Sequence, residues 1–378
     1  MESQPGPMSL HGESLPAPST RADSQGRIRL NVLFGVPDDG KGEVRAAPNG
    51  RALIREAPGS GRRSFTLRGS ANIVPYLSPE RFALNRFYLQ GGAGSRISIG
   101  PGAILNHIAD PDICSQALGL VARIADQAQR PCFNHPSAVV RTTRDSVARL
   151  LEGIPRLTVP KTIRVEHTSS ADVRNAVKDA ELRYPILVRV VGSHGGKDRV
   201  LIERPEAMDE ITQLPHPGRP LYLTEFFDFV SADGLYRKFR IVVVGNIMLV
   251  RHCVTGEHWS LHGARRTANT EQEEAAVFDN FDRDWVPSLR PIFHEIARRL
   301  DLDYFGVDCN IDADRQVLLF EANPCMKILY NHRPLPNMFE APIARIKTAL
   351  ESLLASPETW RYAGTPVMPS HPESSHGG

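Results

Sequence analysis

The chain has 378 residues, with 45 basic and 43 acidic side chains and a hydrophobic content of 41%. This length exceeds what one hydrophobic core usually supports, so two or three subdomains are expected. A formal net charge of +2 lacks the basic excess that accompanies nucleic-acid binding, so no nucleic-acid partner is expected.

The sequence shows no targeting or membrane signal. Residues 1–26 are rich in Pro, Ser and Gly and contain no long apolar core, which argues against a secretory peptide. The longest uncharged apolar run, residues 241–250, is too short to span a bilayer and predicts a hairpin around Gly245-Asn246. The five cysteines form no CxxC pair, so we expect neither a disulfide framework nor a zinc framework. A reducing, cytoplasmic location is expected instead.

The first block of predicted structure, residues 27–140, is an α/β domain. Strands are predicted over 28–34, 96–99 and 103–108, and residues 113–128 carry apolar side chains at helical spacing. Strands that alternate with such helices indicate an open α/β layer. Residues 1–26, which precede this block, are predicted to be a disordered tail.

The second block, residues 141–228, mixes short helices and strands. Helices are predicted over 145–151 and 171–181, the latter capped by Ser169 or Ser170, and a third begins at Pro205. Strands are predicted over 184–191, 200–202 and 221–227, with a glycine-rich turn at 192–196 between the first two.

The third block, residues 229–356, is predicted to be α+β as well. A hairpin over 238–253 precedes helices over 271–280 and 288–300, and two strands, 303–311 and 317–323, follow. The composition of residues 357–378 predicts a second disordered tail.

The last two strands carry the strongest chemical signal. Glu321 and Asn323 are two positions apart, so their side chains share one face of a strand, and an antiparallel partner can bring Asp308 to the same face. Two carboxylates and an amide oxygen make a hard oxygen site suited to Mg²⁺, or to Mn²⁺ in its place. The alternative is a set of polar strand ends that alternate by coincidence.

Three further motifs are weaker when each is taken alone. The turn Gly192-Ser-His-Gly-Gly-Lys197 could close its backbone amides over phosphate, or could be a hairpin connector. The segment 223–228 could hold a purine against its aromatic residues, or could be a core strand. Lys238 and Arg240 place two cations on one strand face, which could equally be a solvated face.

Taken in this order, the motifs resemble the ATP-grasp superfamily of carboxylate–amine or carboxylate–thiol ligases. The resemblance covers roughly residues 140–330 well and the first block loosely. It implies an α/β (α+β) fold in which an N-terminal open α/β domain precedes two α+β subdomains that clamp ATP. Residues 141–228 would be the central subdomain, with 192–197 as a lid, and 229–356 would carry the metal site.

The resemblance also implies site residues. Arg144 and Arg189 stand where the family normally has phosphate-binding lysines, in keeping with a chain in which only seven of the 45 basic residues are lysine. The metal ligands would be Asp308, Glu321 and Asn323. The remaining ATP-binding residues would be His194, Gly195, Gly196, Lys197, Thr224, Glu225, Phe226, Phe227, Lys238 and Arg240.

One departure from the family concerns Gly306, two residues before the metal-binding aspartate, where some peptide-forming relatives carry Arg. A cation for the tetrahedral intermediate would then come from Arg240, Arg251 or Arg265. Arg240, Arg251 and His252 are therefore the catalytic candidates. Further histidines that could contact substrate, or could be structural, are His135 and His262.

The implied reaction joins a carboxylate to an amine, with ATP and Mg²⁺ as cofactors. The carboxylate would attack the γ-phosphate of ATP to give an acyl phosphate and ADP, and the amine would then displace phosphate. The substrates would be small molecules, with an amino acid or a peptide favoured, and members of the family are often homodimers. A phosphoryl transferase that stops after the first step and a non-catalytic nucleotide-binding module are the alternatives.

Overall fold

The computed structural model describes residues 22–39, 44–46, 52–54, 68–90, 99–166, 169–194, 196, 198–214, 219–262 and 266–364. Gly195, Lys197 and Arg265, which the sequence analysis singles out, lie outside the described residues. The same holds for residues 1–21 and 365–378 of the predicted tails, and for residues 96–98 of the predicted strand at 96–99.

The first part of the chain contains a four-stranded sheet and one long helix. In chain order its elements are β1 (Ile28–Gly35), a short hairpin of β2 (Val44–Ala46) and β3 (Ala52–Ile54), β4 (Phe82–Leu89), β5 (Ala103–Asn106), α1 (Ser115–Ala128) and β6 (Cys132–Phe133). The sheet has the order β4–β1–β5–β6, and all its pairs are parallel. Leu30, Val32 and Leu33 of β1 are fully buried, as expected for a parallel strand covered on both faces.

The second part contains a four-stranded antiparallel sheet. Its elements are α2 (Pro136–Val139), α3 (Arg144–Leu151), β7 (Leu157–Thr158), β8 (Thr162–Val165), α4 (Ser170–Asp179), β9 (Ile186–Val190), β10 (Arg199–Ile202) and β11 (Leu221–Glu225). The sheet has the order β10–β9–β11–β8. Ser169 caps α4, because its side chain accepts a hydrogen bond from the Asp172 amide. Val173 of α4 and Met208 of the 3₁₀ segment Pro205–Gln213 pack into one core cluster with Val188 of the sheet.

The third part contains a five-stranded sheet covered by long helices. Its elements are β12 (Tyr236–Val244), β13 (Ile247–Gly256), α5 (Ala268–Asn280), α6 (Val286–Leu300), β14 (Tyr304–Ile311), β15 (Val317–Asn323) and α7 (Glu340–Leu354). The sheet order is β13–β12–β14–β15–β7, antiparallel except for the β15–β7 pair. The apolar run 241–250 is the predicted hairpin, with Gly245 at φ +59° in its turn.

The predicted fold class is confirmed: an open parallel α/β sheet precedes two α+β parts. One strand crosses the predicted division of the chain into a second and a third block. Leu157 and Thr158 belong to the second block but pair with β15 of the third sheet. The other predicted domain boundaries stay predictions. Among the described helices, none combines the length and the apolar character that a membrane crossing needs.

The prediction of a disordered tail from residue 357 is wrong for residues 357–364. Pro357–Thr359 forms a 3₁₀ turn, and the Trp360 side chain is buried against Phe133 with its indole N–H donated to the Leu353 carbonyl. Residues 22–26, likewise predicted to be disordered, form a turn before β1 in which Asp23 accepts hydrogen bonds from Arg27. Composition alone missed both segments because each is ordered by specific contacts.

Candidate active site

A large cleft lies between the three sheets. Its volume is 1320 Å³, larger than the ~300–1,000 Å³ of an ordinary single-ligand pocket, so it has room for more than one ligand. Each part of the chain contributes to its walls. All the described residues predicted to bind ATP or metal line it: Arg144, Arg189, His194, Gly196, Thr224, Glu225, Phe226, Phe227, Lys238, Arg240, Asp308, Glu321 and Asn323.

The three predicted metal ligands lie together on neighbouring strands. In the antiparallel register of β14 and β15, Asp308 faces Glu321 directly. Asn323 is two residues further on, and its Nδ2 donates a hydrogen bond to Glu321 Oε1 at 2.6 Å. The three side chains meet because side chains alternate between the two faces of a strand and because a short turn joins the two strands.

Two cations hold Asp308 in place. Arg240 binds it with both arms of the guanidinium, Nε to Oδ1 at 2.6 Å and Nη2 to Oδ2 at 2.9 Å, and Lys238 Nζ is 3.3 Å from Oδ2. Burial alone would raise the pKa of the Asp308 carboxyl, but the nearby Arg240 and Lys238 charges outweigh it and hold the pKa well below its usual range. Asp308 is therefore ionised at neutral pH although it is buried.

Glu321 is neutralised in the same way by one arginine. Arg144 Nη2 is 2.8 Å from Glu321 Oε2, and Arg144 Nη1 donates to the Phe320 carbonyl. Burial raises the pKa of the Glu321 carboxyl, but the Arg144 charge dominates and brings it to about 2. The site thus presents two ionised carboxylates whose charge is balanced by Arg144, Lys238 and Arg240.

The donor set fits a hard divalent cation. Ionised carboxylates and an amide oxygen are the ligands that Mg²⁺ uses when it also binds phosphates. Each carboxylate oxygen accepts more than one contact, so a cation can join the existing partners without displacing all of them. Asn323 Oδ1 accepts a hydrogen bond from the Cys325 amide, which holds the Asn323 side chain in place and leaves a second lone pair on that oxygen.

Arg189 lies on the opposite wall of the cleft and differs from these cations. Its side chain is 8% exposed, and within the described part of the chain it has no hydrogen bond or ion pair. Burial and the neighbouring Arg144 charge lower its pKa to about 9, which still leaves it charged at neutral pH. A buried cation without a partner is costly, and an anion entering the cleft would remove that cost.

The glycine-rich turn borders the same space. Gly192 and Gly196 have φ values of +71° and +73°, and a Cβ on Gly196 would lie 2.6 Å from the Cβ of His262. Glycine is therefore required at Gly196 by both backbone conformation and space. His194, between them, places Nε2 2.5 Å from Asp110 Oδ2, a contact that the sequence motif does not indicate.

The segment predicted to hold the base lines the cleft, but one of its side chains is used differently. Glu225 Oε1 accepts a hydrogen bond from the Arg183 amide at 3.0 Å, and the Arg183 guanidinium contacts both carboxylate oxygens. The Glu225 carboxylate is thus occupied by Arg183 in this structure, and the predicted part of Glu225 in ATP binding stays a prediction. Beside it, the Phe226 ring meets Trp259 edge-on at 5.4 Å.

Arg251 and His252, two of the catalytic candidates, do not line the cleft. Arg251 donates to the carbonyls of Ile328 and Tyr330 at 2.6 and 3.0 Å, so it supports the segment that follows β15. His252 is half-buried, and the partial burial of its ring followed by the adjacent Arg240 charge lowers its pKa well below the usual value. Among the described catalytic candidates, Arg240 is the residue that reaches the cleft.

The other two histidine candidates also differ in whether they line the cleft. His135 caps α2 by accepting a hydrogen bond from the Ser137 amide, and its ring stacks on Tyr362. His262 lines the cleft beside Gly196. Packing explains why position 306 is glycine, because a Cβ there would lie 2.5 Å from Met326 Sδ. Met326 fills the space that an arginine at this position would need.

Sequence analysis missed several residues of the cleft. Arg199 donates to Ser260 Oγ at 2.6 Å and lies 4.9 Å from the Trp259 ring. The Tyr222 hydroxyl donates a hydrogen bond to the Asp112 carboxylate, with its oxygen 2.9 Å from Oδ1 and 2.7 Å from Oδ2. No local motif marks these residues, because each pair joins segments far apart in the sequence.

Comparisons with known proteins give structural similarities and no sequence match. No protein-family model and no curated protein matches the chain. Solved structures similar to it include the VanG D-Ala:D-Ser ligase from Enterococcus faecalis, with 12% identity over 87% of this chain and 99% of that one and a TM-score of 0.49.

Two other similar structures come from further bacteria. The D-alanine-D-alanine ligase from Coxiella burnetii has 12% identity over 87% of this chain and 94% of that one, with a TM-score of 0.48. A RimK domain ATP-grasp protein from Sphaerobacter thermophilus has 14% identity over 72% of this chain and 89% of that one, with a TM-score of 0.44. At these identities and TM-scores, the similarities by themselves say nothing about the chemistry of this chain.

The class of fold follows from the topology described above. A parallel α/β sheet followed by an antiparallel four-stranded sheet and a five-stranded sheet, with a cleft between them, is the ATP-grasp-like architecture that the sequence resemblance implies.

Proposed function

We propose that the chain is an ATP-dependent ligase that activates a carboxylate as an acyl phosphate and joins it to an amine, releasing ADP and phosphate. The observation that carries the proposal is the cleft itself. Arg189, a cation with no hydrogen bond or ion pair among the described residues, lies on one wall, and the ionised pair of Asp308 and Glu321 lies on the other. A polyphosphate bound with a divalent cation is complementary to both walls at once.

In this proposal the residues of the chain act mainly by position and charge. Arg189 and Arg144 would bind phosphate oxygens, and Asp308, Glu321 and Asn323 would hold Mg²⁺, which neutralises charge on the phosphates when bound. Arg240, fixed by its two bonds to Asp308, would face the transferred phosphoryl group. The aromatic segment at Phe226 and Phe227 would hold the base, with the backbone making the polar contacts.

The reaction would proceed in two balanced steps. A carboxylate oxygen of the first substrate attacks the γ-phosphorus, and the bond to the bridging oxygen breaks to give ADP and an acyl phosphate. The amine of the second substrate then attacks the acyl carbon, phosphate leaves, and the amine loses a proton to solvent or to phosphate. Because the acyl phosphate hydrolyses in water, closure of the glycine-rich turn over the cleft would protect it.

The test is a pairwise screen of amino acids and small carboxylates with amines for release of ADP and phosphate, followed by mass spectrometry of the products. A ligase gives stoichiometric ADP and phosphate only when both substrates are present, and the product mass equals the two substrates minus water. Release of ADP at full rate with the acid alone, with the phosphate retained on the acid, would instead indicate a phosphoryl transferase. Binding of MgATP without turnover for any pair would indicate a non-catalytic module.

A further inference from the structure

A second group of ligating side chains lies beside the carboxylate pair, where three segments of the chain meet. One potential ligand atom from each of Asp110, His194 and Cys325 lies within 4.8 Å of the other two. Asp110 belongs to the loop after β5, His194 to the glycine-rich turn, and Cys325 to the segment after β15. Neither the proposed reaction nor the predicted Mg²⁺ site uses this combination of carboxylate, imidazole and thiol.

The three residues line a small cavity that they share with Arg144, Glu321 and Asn323 of the neighbouring carboxylate site. Its volume is 20 Å³, which is enough for one ion or one water molecule and for little else. Asp110, His194 and Cys325 all line it, and so does Ser193. Ser193 is 8% exposed, and its Oγ is buried without a hydrogen-bond partner in the described part of the chain. A buried hydroxyl of this kind needs a partner inside the cavity.

Each ligand is already oriented by its surroundings. Asp110 Oδ1 accepts a hydrogen bond from the Asp112 amide at 2.9 Å, which leaves Oδ2 directed at His194 Nε2. The Cys325 amide donates to Asn323 Oδ1, which fixes the backbone at Cys325, while its thiol donates to the Ser70 carbonyl at 3.6 Å and would lose that contact on deprotonation. Hydrogen bonds from neighbouring groups orient the ligating side chains of protein metal sites in the same way.

We propose that this cavity binds one borderline-soft divalent metal ion of the zinc class, ligated by Asp110 Oδ2, His194 Nε2 and Cys325 Sγ. Ser193 Oγ, which lines the same cavity and has no hydrogen-bond partner among the described residues, supplies the fourth position. On binding, the thiol proton is released to solvent, as it is for any zinc-bound cysteine. Mg²⁺, which prefers oxygen ligands, does not compete for this site.

The geometry requires a small adjustment at His194. With bonds of about 2 Å at a tetrahedral angle, Oδ2 and Nε2 must separate from 2.5 Å to roughly 3.3 Å. The His194 side chain is 43% exposed and can move by this amount, whereas Asp110 is held by the backbone. A bound ion would then join the glycine-rich turn to the first and third parts of the chain at the edge of the cleft.

Cobalt(II) is the probe that reports the ligands directly. The full chain is freed of metal with a chelator and titrated with Co²⁺ in the presence of excess Mg²⁺. The proposal predicts a 1:1 complex with a thiolate-to-cobalt charge-transfer band and intense tetrahedral d–d bands, displaced by Zn²⁺. Cys325→Ser should remove the charge-transfer band, and His194→Ala should weaken binding by more than the ~10–100-fold typical for loss of an outer-shell partner.

Two matched variants serve as controls. Cys114→Ala changes a neighbouring buried thiol whose Sγ bonds the Arg68 carbonyl, and His294→Ala changes an exposed histidine on α6; both should bind Co²⁺ like the parent. An absent charge-transfer band in the parent chain, or equal affinity in Cys325→Ser, would overturn the proposal and leave the cavity to a water molecule.

A second readout needs no variant at all. In the parent chain, Zn²⁺ should slow alkylation of Cys325 by iodoacetamide at least tenfold, measured by peptide mass spectrometry, without changing the rate at the other cysteines. Alkylation of Cys325 at the same rate with and without Zn²⁺ contradicts the site even if a variant fails to fold. None of these measurements depends on turnover of ATP, so they stand apart from the test of the ligase proposal.

Discussion

The cations on the two walls of the cleft differ in whether they are paired with a carboxylate. On the third sheet, Arg240 and Lys238 are bonded to Asp308, and Arg144 is bonded to Glu321. On the second sheet, Arg189 is buried to a similar degree but has no hydrogen bond or ion pair within the described residues. The cations of one wall are paired with carboxylates of the chain, and the cation of the other wall has no such partner among the described residues.

The difference indicates separate tasks for the two walls. A paired network holds its charges in fixed positions and contributes to stability, because removing one member leaves the other buried without compensation. An unpaired cation contributes nothing comparable to the ligand-free protein, and the proposed function assigns this one to anion binding. The predictions below test this division, since stability and ligand binding should respond differently to substitutions on the two walls.

The largest expected effect is on turnover, from removal of Glu321. Glu321→Ala eliminates one proposed metal ligand and the partner of Arg144, so ATP-dependent phosphate release should fall by about 10³-fold or more. Circular dichroism should show a folded protein. Glu203→Ala, an exposed residue after β10, is the control and should keep full activity; an active Glu321→Ala protein would remove the basis for the metal site.

The next effect is on stability, from breaking the pair of Arg240 and Asp308. Arg240→Ala leaves the buried Asp308 carboxylate, which is 8% exposed, with Lys238 as its remaining cation. The free energy of unfolding in denaturant, without ligand, should fall by about 2–3 kcal/mol. Arg204→Ala removes a pair in which both side chains are 75% exposed, and it should change stability by less than about 0.5 kcal/mol. Equal effects of the two substitutions would contradict a stabilising network.

A smaller effect concerns the contribution of Glu321 to the free energy of unfolding, which should depend on pH. Its pKa is lowered from 4.5 to about 2 in the folded protein, so its contribution is fully present above pH 5 and is lost as the pH falls towards 2. The parent chain should exceed Glu321→Gln in stability by about 1–2 kcal/mol at pH 7, and the gap should narrow at pH 3. Denaturant titrations of both proteins at the two pH values measure it, and a gap that widens on acidification would show the sign to be wrong.

The smallest expected change in stability comes from Arg189. Because its guanidinium has no partner among the described residues, Arg189→Ala should alter the free energy of unfolding of the ligand-free protein by no more than about 1 kcal/mol in either direction. The same denaturant titration checks it beside Arg240→Ala. A loss as large as that of Arg240→Ala would mean that Arg189 belongs to the paired network after all.

The placement of the proposed metal ligands on one strand pair could be predicted from the sequence for a local reason. Asp308, Glu321 and Asn323 lie on two strands joined by a short turn, so strand periodicity and antiparallel pairing determine their placement. The helix at α1 and the cap at Ser169 are equally local. The edge strand β4 and the helix α7 were not predicted. In β4 only the first and last residues are buried, so its sequence lacks a two-residue alternation, and in α7 Pro342 interrupts the helical pattern in the first turn.

Other features depend on contacts between distant segments. The pairing of Glu225 with Arg183, the support that Arg251 gives to the segment after β15, and the burial of Trp360 follow from tertiary packing. The cluster of Asp110, His194 and Cys325 could not be found from cysteine spacing, because its members are separated by more than eighty residues along the chain. Spacing rules detect metal sites whose ligands are local, and this one is not.

Calorimetric titration with MgATP tests the role of the two walls most directly. The parent chain should show saturable one-site binding that requires Mg²⁺, and Arg189→Ala should weaken it by about 10–100-fold, the loss expected for one charged hydrogen-bonding partner. Arg189→Lys should retain most of the affinity, and Arg204→Ala all of it. Absence of binding in the parent chain, or unchanged affinity in Arg189→Ala, would contradict a nucleotide site between Arg189 and the carboxylate pair.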